Sequence, residues 1–115
     1  MTLEKQKEFV ERFYFCPEEL SEEEKKRWSD RMILAITEEL GELMDAYNSC
    51  PWKIETPIDQ KHLLEEIIDI EHFVNELLII WGVSSDVEKE KLYSQKLEKN
   101  FSRGPVHQVS SYLGG

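Results

Sequence analysis

Two long stretches of this chain repeat apolar residues at three- and four-residue intervals, and both interrupt the repeat with a pair of carboxylates on one side. In the first, Trp28, Met32, Ile33, Ile36, Leu40, Leu43, Met44 and Tyr47 recur at helical steps. At ~100° per residue they fill an arc of roughly 160° centred near Ile36. Glu39 projects roughly 60° from that centre, inside the arc, and Glu42 falls just beyond its edge. The nearest neighbours on that side are Ala35 and Ala46, whose small side chains leave a hollow. In the second stretch Leu63, Ile67, Ile70, Phe73, Val74, Leu77, Leu78 and Trp81 make the stripe. Glu66 lies roughly 40° from its centre and Asp69 at its edge. Each acidic pair is spaced i, i+3, so its carboxylates share a helix face. Burying an unpaired carboxylate costs about several kcal/mol. Two helices with the same interruption therefore point to one shared compensation, and a hard divalent cation such as Mg²⁺, which takes oxygen ligands, is the simplest.

The rest of the chain supports an all-α fold with four helical segments. The first runs from about Leu3 to Phe15 and stops before Cys16-Pro17, because proline disfavours a helical residue ahead of it. The second opens at Ser21, with Glu24 three residues on as a capping box, and runs to about Asn48. Pro51 and Pro57 bracket a loop. The third begins near Asp59, a candidate N-cap, and ends at Gly82. The fourth follows Ser84-Ser85-Asp86 and fades near Ser102, ahead of Gly104-Pro105. The tail, with Ser110-Ser111 and Gly114-Gly115, is expected to be loosely ordered. No alternating strand pattern competes. Leu64, Ile68 and Ile79 carry the apolar surface of the third segment further round its circumference. In a domain this small, that predicts cover by another subunit.

The 115 residues suffice for one domain with a modest core. The net charge of −10 argues against nucleic-acid or anionic-membrane binding. No stretch is apolar enough to span a membrane, and the charged N-terminus lacks a signal-peptide core. Cys16 and Cys50 fit free thiols in a reducing compartment, which predicts a cytoplasmic protein. His62, His72 and His107 form no metal-binding spacing and read as ordinary core or surface residues. The last helical segment places Lys96, Asn100 and Arg103 at steps of four and three, with Tyr93 one turn earlier on the same face. Lysine as a point charge and arginine as a fork are ligands for phosphate oxygens, and would offset the repulsion between a polyphosphate and an acidic chain.

Three segments in this order resemble a known superfamily. Residues 35–53 (AITEELGELMDAYNSCPWK), 65–73 (EEIIDIEHF) and 93–103 (YSQKLEKNFSR) are similar to the motifs of the all-α nucleoside triphosphate pyrophosphatases. That superfamily includes the MazG proteins and the dimeric dUTPases, and the similarity covers about residues 21–103. It implies a single catalytic domain over 1–115, built as a four-helix MazG-like or dimeric-dUTPase-like bundle. The implied reaction is hydrolysis of a nucleoside triphosphate to the monophosphate and pyrophosphate. Glu39, Glu42, Glu66 and Asp69 would hold two or three Mg²⁺ ions, with Mn²⁺ as a substitute. Glu38 or Glu42 would take the proton of the attacking water.

Lys96, Asn100 and Arg103, with Lys53, would hold phosphates. Trp52 would stack on a base, and Asn48, His72, Asn75 and Tyr93 are candidate contacts to base or sugar. Asp45 could support the site from behind the metal ligands. The resemblance favours dUTP, while MazG-like enzymes leave dCTP, purine deoxynucleotides and damaged nucleotides as alternatives. A homodimer or homotetramer is expected. Two other classes stay open on the residues alone. One is a non-catalytic helical module that binds a metal or a partner. The other is a redox carboxylate bundle, for which the chain has too few Glu-x-x-His pairs.

Overall fold

A computed structural model describes residues 2–49 and 51–104. Cys50, His107 and the tail from residue 105 onward, which the sequence marks as a thiol, an ordinary histidine and a loose end, lie outside the described residues. Among the described residues there are four α-helices and no strand. They are α1 (Leu3–Phe13), α2 (Glu22–Ala46), α3 (Gln60–Ile80) and α4 (Asp86–Arg103), with a short 3₁₀ turn at Pro17–Glu19. The fold is all-α, as the periodicity predicts.

Capping chemistry sets the helix starts. Ser21 accepts from the Glu24 N–H at 3.1 Å while the Glu24 carboxylate accepts from the Ser21 N–H at 3.0 Å, so the capping box closes in both directions. Asp59 accepts from the His62 N–H, and Ser85 accepts from the Glu88 N–H. Gly82 follows the end of α3 with φ +105°, a conformation glycine reaches without a Cβ penalty. Two boundaries fall about two residues short of expectation, and one of them is the end of α2 at Ala46 rather than near Asn48. α1 ends at Phe13, two residues early, because Tyr14 and Phe15 both turn their N–H groups to the Val10 carbonyl. Phe15 then lies with its ring centroid 4.6 Å from that of Trp28. Lys7 ties α1 to the 3₁₀ turn through Glu18, whose carboxyl that ammonium pulls down to about 2.

The chain forms two compact units, one through Ser84 and one from Ser85. In the first, α2 and α3 run antiparallel. Glu39 meets Glu66, Met32 and Phe73 line one hollow, and the Trp81 indole N–H donates to the Ser29 hydroxyl at 2.7 Å. Positions thus rise along α3 as they fall along α2. α1 packs on α3, where Leu3, Ile79 and Val83 form a buried cluster with Leu78 against it. Gln6 is buried there and donates its side-chain N–H to the His72 carbonyl at 2.7 Å.

The burial of α2 differs from a reading centred on Ile36. Its half-buried seam includes Trp28, Met32, Ala35, Ile36, Glu39, Leu43 and Ala46, while Ile33, Leu34, Leu40 and Met44 are exposed. Glu39 is thus better covered than its neighbour Leu40. The apolar arc of α2 is wider than the strip that α3 covers, and its far side remains open. α4, in the second unit, is strongly polar and has no buried residue.

Candidate functional site

One acidic pair meets one member of the other. Ligand oxygens of Glu39, Glu42 and Glu66 all lie within 4.8 Å of one another. Helical spacing makes this possible: Glu39 and Glu42 are one turn apart on α2, and the antiparallel pairing brings Glu66 opposite Glu39. Glu66 is buried at 8% exposure, far below what a glutamate normally tolerates without a partner. One oxygen of Glu39 and one of Glu66 are buried with no hydrogen-bond partner. Asp69, exposed on α3, lies outside the tight group, yet its charge acts on Glu39.

The electrostatic consequence falls on Glu39. A proton shared with Glu66, followed by burial and the charges of Glu42, Glu66 and Asp69, pushes its carboxyl from 4.5 to about 7. Like charges held this close cannot all ionise without a compensating cation. Among the described residues, His62 brings its Nε2 to 3.6 Å from Glu66. The spacing of the histidines gave no hint of that contact; its signal was the i, i+4 relation between His62 and Glu66.

The donor set fits a hard divalent ion. All its atoms are carboxylate oxygens, two of them are buried and unsatisfied, and they come from two helices that a cation would clamp together. A second group, Glu11, Cys16 and Glu18, is as compact. There Lys7 already pairs with both Glu11 and Glu18, so the chain's own ammonium does what an ion would do. That contrast separates the two groups.

The other sequence candidates fall in distinct places. Glu38 is exposed on α2 beside the cluster, and His72 is exposed on α3 with its carbonyl taken by Gln6. Asn75 is buried at 8% exposure. Trp52 is 79% exposed in the loop after α2, and Lys53 pairs with Asp45 at 3.1 Å. Asn48, at φ +63°, spends its amide on the loop itself: it donates to the Thr56 carbonyl at 2.9 Å and accepts from the Thr56 N–H at 3.2 Å. It therefore clasps the segment that carries Trp52 and Lys53. Tyr93, Lys96, Asn100 and Arg103 share one face of α4 by their spacing, within the second unit. Sequence reasoning passed over Gln6, which secures α1 to α3. It also passed over Glu76, half-buried beside Phe73, which carries the same signal as the acidic pairs: a carboxylate set within an apolar stripe.

Facing helices whose carboxylates converge on one spot define an all-α class of protein with a candidate cation site. The profile of the dUTPase family matches residues 3–112, and the chain belongs to that family. At family level it is a dUTP-hydrolysing nucleotide pyrophosphatase. No curated protein and no solved structure matches the chain. No helix among the described residues is long and apolar enough to cross a membrane.

Proposed function

We propose that the chain acts as a single catalytic domain that hydrolyses a deoxynucleoside triphosphate, with dUTP preferred, to the monophosphate and pyrophosphate in the presence of Mg²⁺. The observation that carries this reading is the convergence of Glu39, Glu42 and Glu66 with two buried oxygens left unpartnered. Those three residues, with Asp69, would hold the metal. Bound there, Mg²⁺ supplies charge neutralisation for the polyphosphate and acidifies a water.

The chain's residues do the rest. Glu38, exposed beside the cluster, or Glu42 takes the proton that the water loses as its oxygen joins phosphorus. Lys96, Asn100 and Arg103 bind phosphate oxygens and lower the repulsion from a chain of net charge −10. Lys53 adds to them by exchanging its exposed pairing with Asp45 for a phosphate, a small cost because surface ion pairs are weak. Asn48 fixes the loop that presents Lys53 and Trp52.

Incubation with Mg²⁺ and a panel of dNTPs, followed by chromatography, tests the reading. Monophosphate and pyrophosphate are expected, with dUTP consumed fastest. Diphosphate with orthophosphate would contradict the reaction. A panel without turnover would leave a metal- or partner-binding helical module.

The exposed apolar residues Ile33 and Leu34 on α2, with Leu64 and Ile68 on α3, support assembly as a homodimer or homotetramer. Sedimentation at micromolar concentration is expected to give a dimer or larger. Substitution of Leu34, 67% exposed, by Glu is expected to dissociate it while leaving the helical content unchanged. A monomeric wild-type protein would overturn this.

A further inference from the structure

Glu66 is the most deeply set carboxylate of the acidic cluster, and its two oxygens are in different situations. Its side chain is 10% exposed. Oε2 is buried with no hydrogen-bond partner. Oε1 lies 3.6 Å from Nε2 of His62. That imidazole comes from the first turn of α3, four residues before Glu66, so the two side chains share one helix face. The backbone N–H of His62 is held at 3.2 Å by the Asp59 carboxylate, which caps the helix. Cap, ring and buried carboxylate thus follow one another along α3 at steps of three and four residues.

His62 is not a fourth member of the donor group. Ligand atoms of Glu39, Glu42 and Glu66 come within 4.8 Å of one another, and that group does not take in the imidazole. The ring reaches the cluster through Glu66. Lysine ion pairs among the described residues go to Glu11, Glu18, Asp45 and Glu65, none of them in the donor group. The fold therefore sets a histidine, and not an ammonium, against the buried carboxylate.

The last torsion of a glutamate is broad and roughly two-fold, so a carboxylate without a partner turns about it at little cost. A donor on one oxygen fixes that torsion, and with it the direction of the other oxygen. At 3.6 Å the separation is just beyond a hydrogen bond. The ring is 55% exposed and has room to close the remaining gap. A carboxylate that holds a cation is ionised and accepts at both oxygens. An N–H bond to an ionised acceptor is stronger than one to a neutral acceptor. The contact therefore tightens when an ion arrives, and only an interaction that differs between the empty and the loaded state changes affinity.

We infer that His62 is a positioning residue for the metal site: its Nε2–H holds Oε1 of Glu66 so that Oε2 is presented to the ion. The inference rests on the reading of the cluster as a divalent-cation site. It adds to that site a residue that ligates nothing and touches no substrate.

Titration calorimetry with Mg²⁺ on the full chain, without nucleotide, tests this apart from turnover. His62→Leu is expected to raise the Mg²⁺ Kd by about tenfold to a hundredfold. His62→Gln, whose amide can donate to the same oxygen, is expected to stay within about threefold of the wild type. Lys61→Leu removes a neighbouring charge that pairs with Glu65 at 3.9 Å, and its Kd is expected to match the wild type, which separates orientation from a general change in charge. In kinetics, the Mg²⁺ concentration for half-maximal activity of His62→Leu should rise with its Kd, while kcat at saturating Mg²⁺ stays within about twofold. Its metal-free melting temperature should lie within about 3 °C of the wild type, since the ring is exposed and the cap uses only the backbone N–H.

An unchanged Kd in His62→Leu, or a loss that His62→Gln does not recover, overturns the assignment and leaves the metal site in place. A wild type that binds no Mg²⁺ overturns the metal reading and the inference together, so the two failures are told apart.

Discussion

Glu39→Gln combined with Asp69→Asn is expected to abolish turnover, lowering kcat/KM by about a thousandfold or more, while raising the melting temperature of the metal-free protein. The two effects have one cause. Glu39, Glu42 and Glu66 are held within 4.8 Å of one another, with Asp69 adding its charge, and without a cation they repel across a partly buried gap. Glutamine at position 39 removes one charge and supplies an N–H that can donate to the unpartnered oxygen of Glu66. The fold gains, and the cation loses two of its four proposed ligands. The wild type should show the converse. Mg²⁺ binds the folded chain alone, so at a hundred times its Kd it adds about 2.7 kcal/mol of stability. Melts recorded with and without Mg²⁺ should separate widely for the wild type and coincide for the double variant. Retained turnover, or a wild type whose melting point ignores Mg²⁺, would remove these residues from the site.

The acidic pairs were legible because a carboxylate at a given helical phase is a local fact. Glu39 and Glu66 each sit inside an apolar arc, and the structure covers both. Helix starts were legible for the same reason: the Ser21–Glu24 box and the Asp59 cap are read within four residues. What the sequence could not show was which part of a broad apolar arc a neighbour would cover. α2 offers more apolar surface than α3 takes, so Leu40 is 47% exposed while the adjacent Glu39 is half-buried.

The core cluster of Leu3, Ile79 and Val83 depends on where α1 lies, a long-range contact that no local pattern encodes. Glu76 is different, since it was legible and passed over. Phe73 three residues before it and Ile80 four residues after it bracket it as the apolar stripes bracket Glu39 and Glu66, but it lacks an acidic partner at i+3. A search for pairs does not find a single buried carboxyl. Asn48 shows a further limit. Its amide was available to a ligand by composition, and only the folded loop reveals that Thr56 takes both ends of it.

The metal-free protein is expected to lose stability as pH rises from 5 to 8, and Mg²⁺ to restore it increasingly over the same range. The folded state raises the Glu39 carboxyl from 4.5 to about 7, chiefly through the proton it shares with Glu66. A raised acid favours the fold in its protonated form. Its contribution is complete below the unfolded value near 4.5 and disappears as pH passes the folded value near 7. Glu76, also raised, adds a change of the same sign. Glu18, held down at about 2 by Lys7, has the opposite sign, but its change falls well below pH 5 and leaves this window untouched. Metal binding inverts the preference, because the ion needs the ionised carboxylate and must displace the proton. Mg²⁺ affinity is therefore expected to fall about tenfold per pH unit below 7, and titration calorimetry in two buffers should count about one proton released at pH 6. Glu39→Gln should flatten the metal-free melting curve against pH except for the part due to Glu76, which Glu76→Gln removes. A metal-free melting point that climbs between pH 5 and 8, or Mg²⁺ binding that releases no proton, would mean that the carboxylates of α2 and α3 do not share one proton in place of one cation.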